Sequence, residues 1–220
     1  MDVSIEQKLK VTGIRELTAT TYVVRMERNG MKFRAGQNLN LGLDGSPEKR
    51  DYSIYSGEND DYLEILVREV DDGLVSKQLH RLKPGDCLQV DGPFGFFTPK
   101  PEELNKTRFV FIATGTGISP FHSIVRSHPD IDYLLIHGIR LAEEQYDKDQ
   151  YQDGHYVPCI TSEEVPGAFL GRVTDYIRQN PQGNDKKYFL CGNVNMIYDV
   201  FDILKEQGVP SENLHAEVYF

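Results

Sequence analysis

The sequence predicts two domains of different build: an antiparallel β-barrel over residues 1–98 and a doubly wound parallel α/β sheet over residues 99–220. Three observations predict this. Short runs of alternating apolar and polar residues, each closed by turn residues, fill residues 8–96, as in an antiparallel barrel or sandwich. Thr98-Pro99-Lys100-Pro101-Glu102-Glu103 then makes a polar, proline-marked crossing. Beyond it the apolar runs lose their alternation and are separated by helical stretches, the signature of buried parallel strands and their crossovers.

In the first half, residues 8–14, 21–27, 38–43, 50–56, 62–68 and 87–91 read as strands. Asn29-Gly30 predicts a hairpin from the second strand into residues 31–34. Lys83-Pro84-Gly85-Asp86 predicts a turn before the last strand. The single helix expected there covers 74–81 and is entered through Asp72-Gly73-Leu74-Val75-Ser76. Phe96 and Phe97 either cover part of a bound ligand or fill a core, and a core is the expected place. In the second half, residues 108–113, 132–138, 156–160 and 187–191 read as strands, with helices over 120–127, 172–179 and 196–207. The acidic residues around Glu143-Glu144 and Asp147 read as a solvated helix or loop.

Composition bounds the function. The chain has 220 residues, 39% of them hydrophobic, enough for two small cores. A net charge of −10 argues against nucleic acid as a partner. No apolar run approaches the ~18 residues of a membrane span. The opening MDVSIEQKLK has no apolar signal core, so the expected location is cytoplasmic. Three widely spaced cysteines, Cys87, Cys159 and Cys191, give neither a disulfide framework nor a metal or iron–sulfur ligand set. No metal site is expected.

Four segments carry candidate chemistry. Along Arg50-Asp51-Tyr52-Ser53-Ile54-Tyr55-Ser56, strand alternation sends Arg50, Tyr52, Ile54 and Ser56 to one face and the others to the opposite face. So polar a strand in a barrel calls for a polar ligand. Gly73 just before a helix leaves free N–H groups suited to a pyrophosphate, though an ordinary loop-to-helix junction has the same look. In Thr114-Gly115-Thr116-Gly117-Ile118-Ser119-Pro120, two glycines allow a tight turn under a phosphate and Pro120 suits the first helical turn. Cys191-Gly192-Asn193-Val194-Asn195-Met196 ends a parallel strand, where open α/β sheets bind ligands. A lone cysteine there is equally a small buried hydrophobe.

Taken in chain order, these segments resemble the ferredoxin–NADP⁺ reductase family. The matching motifs are R-x-Y-S at Arg50, G-x-x-S at Gly73, G-P-x-G at Gly92, G-T-G-x-S-P at Gly115, C-G-N-x-x-M at Cys191 and E-V-Y at Glu217. The resemblance implies FAD, with Arg50, Gly73 and Ser76 on its pyrophosphate, Tyr52 on the ring or ribityl chain and Ser53 at the N5 edge. It implies that Gly115, Thr116, Gly117 and Pro120 hold the pyrophosphate of NADP(H) or NAD(H). Cys191, with Gly192 and Met196, would then stand beside the nicotinamide carbon that exchanges hydride. Glu217 belongs to the hydride-transfer site, and Tyr219 or Phe220 stacks on the flavin until displaced.

The resemblance leaves the coenzyme open. Reductases that use NADP present a Ser-Arg pair where this chain has Ser162-Glu163, and a carboxylate repels a 2′-phosphate of charge about −1.5 to −2. Arg140 and Arg172, however, match positions of phosphate-binding arginines in bacterial members. The implied acceptor is a ferredoxin- or flavodoxin-like protein, and Arg15, Lys32, Arg34 and Lys49 offer a local basic face. The alternatives are the reductase component of an oxygenase, a free-flavin reductase, or a flavin electron-transfer subunit or redox sensor without turnover.

Overall fold

The computed structural model describes residues 7–70 and 73–219. The chain divides into two compact units, Met1–Thr98 with His122–Ser127, and Pro99–Phe121 with His128–Phe220.

The first unit holds strands β1 (Gln7–Glu16), β2 (Thr21–Glu27), β3 (Asn38–Leu43), β4 (Arg50–Ser53), β5 (Tyr62–Arg68) and β6 (Cys87–Phe94), and helix α1 (Leu74–His80). They form one antiparallel sheet in the order β4-β3-β6-β1-β2-β5. Its two end strands meet where Ile54 bridges Ile65 and Tyr55 N–H donates to Glu64 O at 2.7 Å, which closes the barrel. Period-2 alternation fills it: Leu9 and Val11 from β1, Leu39 and Leu41 from β3, and Leu88 and Val90 from β6 all point inward. Val75 and Leu79 of α1 cap the same core.

Two expectations fail here for physical reasons. Asn29 and Gly30 do make a left-handed turn, with φ of 46° and 75°, but no strand follows. The backbone of the next segment finds side-chain partners instead of a ladder. Arg28 Nε donates to Met31 O at 2.6 Å, Arg34 N–H to Gln37 Oε1 at 2.7 Å and Ala35 N–H to Glu58 Oε1 at 2.7 Å. The polar strand is also shorter than expected. After Ser53 the chain leaves β3 for β5, and Ile54, Tyr55 and Ser56 are all buried instead of alternating.

The second unit holds β7 (Phe109–Thr114), α2 (Ser119–Ser127), β8 (Tyr133–Ile139), β9 (Tyr156–Ile160), β10 (Phe169–Leu170), α3 (Val173–Gln179), β11 (Lys187–Asn193), α4 (Val194–Glu206) and β12 (Leu214–Tyr219), of which the later part of α2 groups with the first unit. All strands are parallel, in the order β10-β9-β8-β7-β11-β12. The chain reverses direction of winding between β7 and β11, the switch point where doubly wound sheets bind ligands. β7 and β8 are buried on both faces, which is why their sequences lack alternation. On α4, Met196, Ile197, Val200, Ile203 and Leu204 make one helical stripe against the sheet. β10 and β12 are two further strands that periodicity alone did not reveal. None of the described helices is long and apolar enough to cross a membrane.

Candidate active site

In the barrel, Arg50 begins the end strand β4 with 59% of its side chain in solvent, donating to Glu48 Oε2 at 3.2 Å and to Lys49 O at 2.7 Å. So loosely held a guanidinium is free to re-pair with a phosphate. Tyr52 packs half-buried on the core. Burial pushes its hydroxyl up to about 12 against the opposing charge of Arg50, so it stays neutral and can donate. Ser53 is buried opposite Asn38 of β3. The residues after it are clamped from α2. His122 Nδ1–H donates to Tyr55 O at 2.7 Å while the two rings stack at 3.8 Å, and Ser123 Oγ donates to Ser56 O at 2.7 Å.

Gly73 caps α1, and its sequence cue has a steric content: a Cβ there would stand 2.3 Å from Val70 Cγ2 and 2.6 Å from Ser76 Oγ. The Ser76 hydroxyl accepts from Val70 N–H at 3.3 Å and donates to Gly73 O at 3.4 Å, so it closes its own loop. Phe97 is buried as expected. Phe96 is not: its ring is fully exposed, because the positive φ of Gly95 (93°) turns the chain at that corner.

At the end of β7 the glycine turn takes a defined shape. Gly115 has φ of 52°, a left-handed conformation that favours glycine, and opens a 3₁₀ turn over Gly115–Ile118 leading into α2, with Pro120 in its first turn. Gly117 is needed for close approach, since a Cβ there would meet the Cys191 carbonyl oxygen at 2.4 Å. Thr114 Oγ1 accepts from Asn193 N–H at 2.9 Å and joins the ends of β7 and β11. A Cβ on Gly192 would strike that same oxygen at 2.3 Å. Thr116 lies within this turn, and Met196 lies in the first turn of α4, its N–H accepted by Asn193 Oδ1 at 3.3 Å.

Cys191 is fully buried on β11, opposite Ala113 on one side and Glu217 of β12 on the other. Burial pushes its thiol well up, with the Glu217 charge adding to the effect and a hydrogen bond to Tyr219 opposing it. The thiol is therefore protonated near neutral pH, a neutral polarisable surface rather than a nucleophile. The parallel register also sets Tyr219 two residues beyond Glu217 on the same face, against Cys191. Cys191 thus meets, on the neighbouring strand, two residues far from it in sequence. Phe220 lies outside the described residues.

At the ends of β8 and β9, carboxylates cap the backbone. Glu144 Oε2 accepts from Arg140 N–H at 2.6 Å and Leu141 N–H at 3.1 Å, and Glu163 Oε1 accepts from Ala142 N–H at 2.5 Å. Ser162 N–H donates to Arg140 O at 3.0 Å, so the two loops are stitched together. Arg172 precedes α3, its N–H donating to Asp175 Oδ2 at 3.3 Å.

Residues 8–98 match the family of oxidoreductase FAD-binding domains. The ferredoxin–NADP reductase of Pseudomonas aeruginosa is 29% identical over 235 residues, covering 91% of this chain and 89% of that protein. The chain therefore contains an oxidoreductase FAD-binding domain and is similar along its length to ferredoxin–NADP reductases. Another relative, the reductase subunit of an aromatic O-demethylase from Amycolatopsis sp., is 30% identical over 205 residues, and the chain spans 61% of that protein's length. The crystal structure of a ferredoxin NADP⁺ reductase from Neisseria gonorrhoeae with bound FAD and NADP superposes with a TM-score of 0.89 at 24% identity, over 98% of this chain and 99% of that one, and shows the shared fold.

Against this family frame, sequence reasoning missed the residues that support the turn and loops from behind. Thr114 and Tyr156 stand at strand ends, His137 two residues before one, and Glu144 four residues past Arg140. His137 Nε2 lies 2.9 Å from Gly115 O, and its Nδ1 lies 2.9 Å from the Tyr156 hydroxyl. A buried histidine at a strand end was the only available signal, and it is silent about which backbone group the ring reaches.

Proposed function

We propose that this chain is an FAD-dependent reductase that accepts hydride from a reduced nicotinamide nucleotide and passes electrons to a ferredoxin- or flavodoxin-like protein. The observation that carries the proposal is the cluster of Cys191, Glu217 and Tyr219 on β11 and β12, beside a glycine turn at the switch point of a parallel sheet. In this reading residues 1–98 form the flavin domain and residues 99–220 the nucleotide domain.

The barrel residues fit FAD. β4 is an end strand with an exposed arginine and a half-buried, neutral tyrosine, which suits a pyrophosphate and a ring system lying along one edge. When bound, FAD supplies the conversion between two-electron donors and one-electron acceptors. Arg50 then binds the pyrophosphate, Tyr52 covers the ring or ribityl chain, and Ser53 offers a hydroxyl at the reactive edge. The turn at Gly115, Thr116 and Gly117 offers amides to the pyrophosphate of the nucleotide, backed by Pro120 and the start of α2. Protonated Cys191 gives the nicotinamide a small, uncharged neighbour, and Glu217 holds a carboxylate at its side. Tyr219 covers the Cys191 thiol and leaves when the nicotinamide binds.

NADH is the better donor in this reading. The loop that follows β8 already satisfies three consecutive N–H groups with Glu144 and Glu163, which places two carboxylates where a 2′-phosphate needs cations. Arg140 and Arg172 are the residues that favour the opposite choice.

A second acceptor class, an oxygenase, is favoured by the 30% identity to the O-demethylase reductase subunit. Anaerobic stopped-flow reduction by NADH and NADPH tests the reaction itself. Bleaching of the bound flavin by NADH faster than by NADPH is expected; a flavin that neither nucleotide reduces overturns the proposal.

A further inference from the structure

His137 stands inside the parallel sheet with no exposed surface, between Ala113 of β7 and Pro158 of β9. An imidazole in such a place costs free energy unless its ring nitrogens are paired. Both are, to Gly115 O and to the Tyr156 hydroxyl, each at 2.9 Å. A carbonyl only accepts, so Nε2 carries the proton, and in the neutral ring Nδ1 accepts from Tyr156. Burial keeps the ring neutral, its pKa pushed down to about 4.

The partner of this histidine gives it a role beyond filling space. Gly115 is the left-handed residue that opens the turn, with φ of 52°. Its peptide link to Thr116 is planar and trans, so its carbonyl and the Thr116 N–H point to opposite sides. Tying the carbonyl to His137, within the sheet, sends the Thr116 N–H away from it, toward the crevice outside the strand ends where open α/β sheets bind ligands. The other side of the turn is held independently by the contact of Gly117 with the end of β11. Peptide orientation at this turn is thus decided by a side chain on another strand.

We propose that His137 is a positioning residue that aims the Gly115–Thr116 peptide at the pyrophosphate of the nicotinamide nucleotide, with Tyr156 fixing the tautomer that does so. The proposal rests on the reaction proposed above, and it assigns a function to a residue that touches neither the nucleotide nor the flavin.

The test is NADH-dependent ferricyanide reduction by the FAD-loaded protein, comparing wild type with His137→Leu, His137→Gln and Tyr156→Phe. Losing one directed hydrogen bond raises the KM for NADH about tenfold in His137→Leu, with kcat within about twofold and flavin content unchanged. His137→Gln keeps an amide donor for Gly115 O and recovers most of that loss. Tyr156→Phe raises KM about threefold, since the ring keeps its donor but loses its tautomer lock. An unmoved KM in His137→Leu, or a His137→Gln variant as impaired as the leucine variant, overturns the inference. If His137→Leu does not fold, Tyr156→Phe decides, and an unchanged KM there overturns it. A wild-type flavin that no nicotinamide nucleotide reduces removes the reaction and the inference together; a reducible wild type with an unmoved KM in the variants removes the inference alone.

Discussion

The chain has two glycine turns that read alike as letters, Gly73 to Ser76 in the barrel and Gly115 to Pro120 in the parallel sheet, and they are built in opposite ways. The first is held from within. Ser76 spends its hydroxyl on Val70 N–H and Gly73 O, and the glycine makes room for side chains of its own loop. The second is held from outside, by His137 on β8, the Cys191 carbonyl on β11 and Thr114 reaching Asn193. A turn held from within can adapt its shape to a ligand. A turn held from two neighbouring strands is preorganised, and its amides cost little to aim.

The largest test of this difference is a methyl group at each turn. Gly117→Ala pushes a Cβ into a backbone carbonyl and should cost about 3 kcal/mol of unfolding free energy. Gly73→Ala meets the ends of side chains and should cost about 1 kcal/mol. Urea unfolding of the two variants reads the gap; equal losses would mean that the second turn is no stiffer than the first.

Two histidines sharpen the contrast through pH. His137 is neutral in the fold, its pKa about 4 against ~6.5 when unfolded. Its contribution is complete above pH ~6.5 and is lost as pH falls toward 4, up to about 3 kcal/mol. In the barrel, His80 lies 2.8 Å from both Glu69 and Glu16, and these bonds, that to Glu69 foremost, raise its pKa. Its contribution is complete below the unfolded value and disappears as pH rises through the raised one. Stability curves against pH should therefore lose acid sensitivity in His137→Gln and lose the neutral-side decline in His80→Gln. The opposite assignment would show that these contacts do not set the titrations.

A smaller effect concerns the coenzyme. Glu163→Arg removes one carboxylate from the β8–β9 loops and should shift the kcat/KM ratio toward NADPH by about tenfold, the effect of ~1.4 kcal/mol. An unchanged ratio would place Glu163 outside the nucleotide pocket. The smallest effect is at Ser76→Ala, worth about 1 kcal/mol through its two loop bonds. A flavin dissociation constant that rises severalfold in that variant would show that the hydroxyl also serves the ligand; an unchanged one would confine it to loop closure.

Much of this architecture was legible beforehand. β2, β3, β5 and β9 begin and end where their patterns do, because alternation or continuous burial along a strand is a local property. The failures come where local signals met distant partners. Asn29-Gly30 forms its turn, yet the backbone beyond donates hydrogen bonds to Gln37 and Glu58 in place of a strand. Phe96 looked like core and is exposed, since nothing in a single aromatic tells which way a corner will turn.

By itself, the sequence determined the two layers of construction, the order of the motifs and the chemical types at the site: an arginine and a tyrosine on a polar strand, glycines at two turns, a cysteine at a strand end and an acidic–aromatic terminus. These follow from composition and spacing, which the chain carries locally. Only the tertiary structure decided which of them meet. Parallel pairing of β11 with β12 joins Cys191, Glu217 and Tyr219, and the adjacency of β7 and β8 brings His137 under Gly115. Strand order is set by how separate segments bury their faces against each other, and that long-range packing leaves no periodic trace in any one of them.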